Sequence, residues 1–113
     1  MQQQDIDSLA SGTKPDSIVL VNIDKAQLTP GIVKGTYFLT VSGTKPWATM
    51  KVEFSPLIYV DQPEYWGIQV IGIQRGIGLP VVTPFEHTEE VTQYMGKKGV
   101  DAIGANQTIT LQK

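Results

Sequence analysis

The segment Glu86-His87-Thr88-Glu89-Glu90 joins the only histidine of the chain to three carboxylates, side chains that hold divalent cations or move protons. As a strand, it turns His87 and Glu89 to one face and Glu86 and Glu90 to the other, so at most two ligands converge from this segment. Structural zinc draws on Cys and His, and the chain offers no cysteine and no second histidine to complete a site. General-base catalysis fares no better, because no Ser or Cys stands in a recognisable nucleophile elbow. The expectation is a charged sheet edge that resists unwanted pairing, with no metal, no cofactor and no enzyme activity.

A second group lies between Tyr59 and Trp66. Tyr59, Tyr65 and Trp66 could stack on a sugar ring while Asp61 accepts hydrogen bonds from its hydroxyls. Asp61 and Glu64 as a glycosidase pair would need a cleft to set their separation, which short strands seldom supply. The plainer reading packs the aromatics beneath the turn and leaves the acids in water. Trp47 opens the run Trp47 to Ser55, in which Ala48, Met50, Val52 and Phe54 take inward positions; its indole is therefore expected on the wet face, where a Trp often anchors a partner. Gly72 to Gly78 is rich in glycine, but Leu79-Pro80 follows where a phosphate loop needs a helix. Arg75, the only arginine, is expected at a hairpin tip in that stretch. Asn106-Gln107-Thr108 fits a glycosylation sequon, a pattern common by chance.

The elements that would carry these residues read as strands throughout. Ser17 to Lys25 alternates, with Val19, Val21 and Ile23 on one face and Asn22 and Asp24 on the other. A Pro30-Gly31 turn leads to a strand from Val33 to Ser42, and Ser42-Gly43-Thr44-Lys45-Pro46 reads as the next break. Leu57 to Val60 is a short strand. Tyr65 to Gln74 is apolar on both faces, which suits a central strand or a bulge at Gly72, and Ile71 is expected in the core. Leu79 to Thr83, Val100 to Ile103 and Thr108 to Leu111 complete the set. Phe85 to Val91 fits an edge strand better than a helix capped by Thr88. Two short echoes, Ser11 to Pro15 with Ser42 to Pro46 and Gly67 to Ile73 with Gly99 to Ala105, fall below the repeat number of a solenoid.

The chain has 113 residues, enough for one domain with a real core. Met1 to Pro15 is polar, glutamine-rich and aperiodic, a tail before a domain at 16–113. A net charge of −2 with a pI near 5.2 removes the basic footprint of a nucleic-acid binder. No basic start, apolar leader or membrane-length run is present, so a soluble chain without membrane insertion is expected, while the lack of cysteine leaves the compartment open.

The expected fold is an all-β antiparallel sandwich of seven to eight short strands, immunoglobulin-like in architecture, with a partly open barrel as the alternative. Two function classes follow. One is a non-catalytic interaction or structural module that presents a strand face or loop end to a protein partner or, as a homo-oligomer, to itself. The other is a carbohydrate-binding module using Trp47 or the Tyr59, Asp61, Tyr65 and Trp66 group. A sugar site needs a flat exposed aromatic beside polar groups, whereas an assembly surface needs exposed apolar area.

Overall fold

Val19, Val21 and Ile23 alternate as expected, yet the chain changes sheets between them. In the computed structural model, which describes residues 17–113, strand β1 (Ser17–Leu20) belongs to one sheet and β2 (Asn22–Pro30) to another, with buried Val21 as the crossing point. The strands that follow are β3 (Tyr37–Lys45), β4 (Lys51–Pro56), β5 (Tyr65–Gln74), β6 (Thr83–Glu90), β7 (Gly99–Ile103) and β8 (Thr108–Gln112). The tail Met1 to Pro15 and the first Ser-Gly-Thr-Lys-Pro copy lie outside the described residues.

β5 organises the larger, five-stranded sheet. β4 runs antiparallel along one of its edges, from Lys51 opposite Ile73 to Pro56 opposite Ile68. The other edge is shared: β1 pairs antiparallel with the C-terminal half, Leu20 opposite Ile71, and β7 pairs parallel with the N-terminal half, Tyr65 opposite Gly99. β8 closes on β7 as an antiparallel neighbour. The smaller sheet is β2-β3-β6, antiparallel throughout. The two sheets face one another as a β-sandwich, and the parallel β5–β7 pair is its one departure from the antiparallel scheme expected.

The core lies between the sheets. Ile68 and Val70 of β5 meet Leu39 and Val41 of β3, Ile23 of β2 and Val100 of β7, all fully buried. Each such side chain contributes about 1.5–3 kcal/mol by leaving water. β5 is apolar on both faces because it is central, not because it bulges: its register with β1 and β4 runs unbroken through Gly72. A Cβ at Gly72 would meet the Met50 thioether and sit 2.9 Å from Val21 Cγ1, so the backbone there fills the place of a side chain. The register shift falls instead in β2, between Ile23 and Lys25.

On one open side, Phe54 of β4 rests edge-on against the His87 ring of β6 with centroids 4.8 Å apart, and its N–H donates to Glu89 Oε2 at 3.3 Å. No strand ladder joins β4 to β6, so the structure is an open sandwich and not a closed barrel. On the other side, the β7–β8 turn reaches across: Ala105 N–H donates to the Val21 carbonyl, and the Asn106 side chain brackets Ile23.

Several boundaries differ from the pattern. β3 continues through Ser42 to Lys45, because Ser42 to Thr44 pair on both sides with β2 and β6 and Lys45 pairs with Thr83 of β6. Val33 falls in the exposed β2–β3 turn, and Leu57 to Val60 and Leu79 to Val82 are irregular connections. Phe85 to Glu90 is edge strand, and no helix occurs among the described residues; none is therefore long and apolar enough to cross a membrane.

Candidate interaction surface

Gly67 is where the aromatic corner is built. Tyr59 folds back so that its hydroxyl accepts a hydrogen bond from Gly67 N–H at 3.1 Å; a Cβ at position 67 would stand 2.9 Å from that oxygen and 2.8 Å from Leu57 Cδ1. Trp66 Nε1 donates to the Leu57 carbonyl at 2.9 Å, and its ring meets Tyr59 edge-on at 5.1 Å and Tyr94 at 5.9 Å. Further bonds fasten the 57–64 connection to the segment before β7: Gln62 Nε2 donates to the Met95 carbonyl, and Lys97 N–H and Lys98 N–H donate to the carbonyls of Pro63 and Glu64. With Tyr59 held inward, its neighbours must point out. Ile58 is 97% and Val60 102% exposed.

Of the expected site residues, Tyr59 and Trp66 come together. Tyr65, one place along β5, points to the opposite face, where its hydroxyl accepts from Gln112 Nε2 at 3.2 Å, and Asp61 stands exposed in the connection. Tyr94 completes the cluster and was missed, since it lies in the turn Val91 to Met95 with no apolar period around it. The polar tips of Tyr59, Tyr65 and Trp66 are all engaged within the fold.

Trp47 is a correction. It lies in the turn before β4 and not on the strand; it is half-buried, packs against the core and lies so close to Gly78 that a Cβ there would collide with its ring. Alternation fails to apply because the strand begins only at Lys51. Beside it, buried Gln74 accepts from Thr49 Oγ1 at 2.8 Å, and Leu79 N–H donates to the same hydroxyl at 3.1 Å. Arg75 follows β5 in the 75–82 connection, which crosses to the other sheet instead of turning a hairpin. That connection leaves Ile77, Leu79, Val81 and Val82 exposed.

Ile71, expected in the core through the apolar run of β5, also faces outward. Ile68 and Val70 take the inward phase, which puts Ile71 opposite Leu20 and Ile73 opposite Ile18 on the outer face of the five-stranded sheet. The adjoining β4 positions are Glu53 and Lys51, which pair with each other at 3.2 Å.

His87 Nε2 lies 2.6 Å from Glu89 Oε2, the shared face expected of a strand, while Glu86 and Glu90 face away. Among the described residues no group of three or more His, Cys, Asp or Glu is arranged to hold a metal ion. A cleft of about 400 Å³ lies between Asp24 to Gln27 and Ile109, lined also by Thr40 and by the cross-strand pair Ser42 and Glu86. No protein-family model, no curated protein and no solved structure matches the chain.

Proposed function

We propose that the chain is a non-catalytic interaction module, presenting aliphatic side chains at its loop end and on a strand face to a protein partner or to a second copy of itself. The observation that carries this reading is the outward projection of Ile58 and Val60 from a connection pinned on both sides of them. Nothing in the fold uses these two side chains, and their exposure costs solubility without gaining core. The β2–β3 turn, at the same end, adds exposed Ile32 and Val33. Buried on binding, four aliphatic side chains of this kind would contribute about 1.5–3 kcal/mol apiece before the entropy of association is subtracted.

The carbohydrate reading has less support. Stacking needs an open aromatic face, and the exposed large apolar residues are aliphatic apart from Phe38 and Tyr94.

A photo-crosslinking amino acid at Ile58 should give a discrete protein adduct in an extract of the source cells. The adduct should vanish when Val60 becomes serine, while the melting temperature stays put because Val60 packs on nothing. A smear, no adduct, or an adduct indifferent to Val60→Ser refutes the reading, and a saturable heat of oligosaccharide binding would favour the sugar alternative.

A further inference from the structure

The outer strand edges of this sandwich are guarded unequally. β2 carries Asp24, Lys25, a bulge and Pro30; β4 carries Lys51, Glu53 and Pro56; β6 carries Pro84, Glu86, Glu89 and Glu90. β8 lies against β2, where Ile109 and Asp24 to Gln27 line one cleft. Charges, prolines, bulges and cover are the usual means of keeping an edge from pairing. β1, Ser17-Ile18-Val19-Leu20, has none of them among the described residues. Its apolar residues are all exposed, Ile18 to 63%.

Backbone phase says which groups this edge offers. Val21 N–H donates to the Val70 carbonyl at 3.1 Å, toward β5. Groups alternate in direction along a strand, so Val19 and Ser17 also bond toward β5, whereas Ile18 and Leu20 turn their N–H and C=O to the open side. Two donors and two acceptors, spaced by one residue, are thus presented by a strand that reads almost the same in both directions about Val19.

We propose that β1 is a self-pairing edge, on which β1 of a second copy lies antiparallel across a two-fold axis at Val19. Ile18 then exchanges both backbone hydrogen bonds with Leu20 of the partner subunit, and Leu20 does the same with Ile18 of the partner subunit. The two Val19 residues meet as the closely spaced, non-bonded pair on the axis. The interface is isologous, as closure at two copies requires. A second copy is the fitting occupant because the edge has no charge to select a different strand and its Ile18 and Leu20 are mutually complementary. The outer-face rows Ile18–Ile73 and Leu20–Ile71 also continue into those of the partner. The chain's own preceding segment is a poorer match: Gln2 to Asp7 has no period-two apolar stripe to set against Ile18 and Leu20.

The inference rests on the reading of the chain as an interaction module, but it uses the half of β5 away from Ile58 and Val60. The test is crosslinking in the full chain, which lacks cysteine, with Val19→Cys as sole thiol. Facing Val19 positions would have Cα atoms about 4.5 Å apart, inside the disulfide range of roughly 4.4–6.8 Å. Mild oxidation should yield a covalent dimer far faster than the same chain with Ile77→Cys as its single thiol. Ile18→Pro in the Val19→Cys background removes an N–H that points away from β5, so the cooperative melt should survive while crosslinking stops; Ile18→Lys serves the same purpose if proline disturbs the fold. In sedimentation, Ile18→Pro should weaken self-association roughly tenfold or more, because each dimer loses the two hydrogen bonds donated by its Ile18 N–H groups. Crosslinking no faster than the Ile77→Cys control, crosslinking that survives both Ile18 variants, or a monomer in which the introduced thiol resists alkylation would each overturn the proposal. An adduct still formed at Ile58 would then leave the broader reading standing, and its absence would remove both.

Discussion

Replacing Asn106 with alanine tests how the two sheets are held in register at the point where the chain crosses between them. Asn106 Oδ1 accepts from Ile23 N–H at 2.9 Å, and Nδ2 donates to the Ile23 carbonyl at 3.1 Å. That carbonyl has a second donor, Gln107 Nε2 at 2.7 Å, but among the bonds described the N–H has only Asn106. Ile23 is fully buried beside the bulge of β2, opposite Gly43 of β3, and its N–H turns to Asn106. Alanine at 106 therefore orphans one buried donor, a loss of about 1–3 kcal/mol, while alanine at 107 leaves both groups of Ile23 satisfied and should stay below about 1 kcal/mol. For a domain of this size the first change lowers the melting temperature by roughly 5–20 °C. Thermal melts and urea titrations of the two variants beside the parent would measure it, with m-values checked to be equal. Equal melting of Asn106→Ala and Gln107→Ala would refute the reasoning, since it would mean that water takes the place of the amide at Ile23.

Three further outcomes follow from the packing. Ile68→Ala should cost about 2–5 kcal/mol and Ile71→Ala less than about 1 kcal/mol, because only the first leaves a cavity; equal losses in denaturant would show that the inward phase of β5 is misassigned. Trp47→Ala, which removes a half-buried indole from the end of the core, should destabilise by about 2 kcal/mol or more without changing self-association. Gly67→Ala should push Tyr59 and Leu57 away by overpacking, at about 1–3 kcal/mol, and alter the near-UV circular dichroism of Trp66; an unchanged spectrum would mean that the corner is not held by that contact.

What the sequence disclosed depended on whether one face of a strand was marked by polar residues. The inward set Met50, Val52 and Phe54 is legible because Lys51 and Glu53 stand between them. Tyr65 to Gln74 is visible as a strand for its apolar density, yet the same density hides its phase: Ile68, Val70, Ile71 and Ile73 offer apolar residues at both parities, and Ile71 falls on the wrong one. The sheet change at Val21 leaves no local trace, since Val19, Val21 and Ile23 keep alternating while their hydrogen-bond partners switch from β5 to β3. Trp47 was misjudged by extending a clean alternation four residues past its end. In the candidate surface, Tyr59 and Trp66 could be grouped because few residues separate them, whereas Tyr94 arrives from a different connection and only tertiary structure joins it. The exposed edge of β1 had a signal that was passed over: Ile18 and Leu20 fill the face opposite Val19 and Val21, so that strand was never half-polar.

The shared edge of β5 has a consequence for how the chain comes off the ribosome. Residues Tyr65 to Gln69 find their parallel partner only in Gly99 to Ile103, some thirty residues later. At translation speeds of roughly 5–20 residues per second, the most apolar strand of the molecule waits about 2–7 s with that flank open. β4 and β1 are already made and can cover the rest of β5 during the wait. The four residues of β1 then stand as a temporary guard beside an unfinished flank, and any lesion that delays β7 turns Tyr65 to Gln69 into the place where neighbouring nascent chains would adhere.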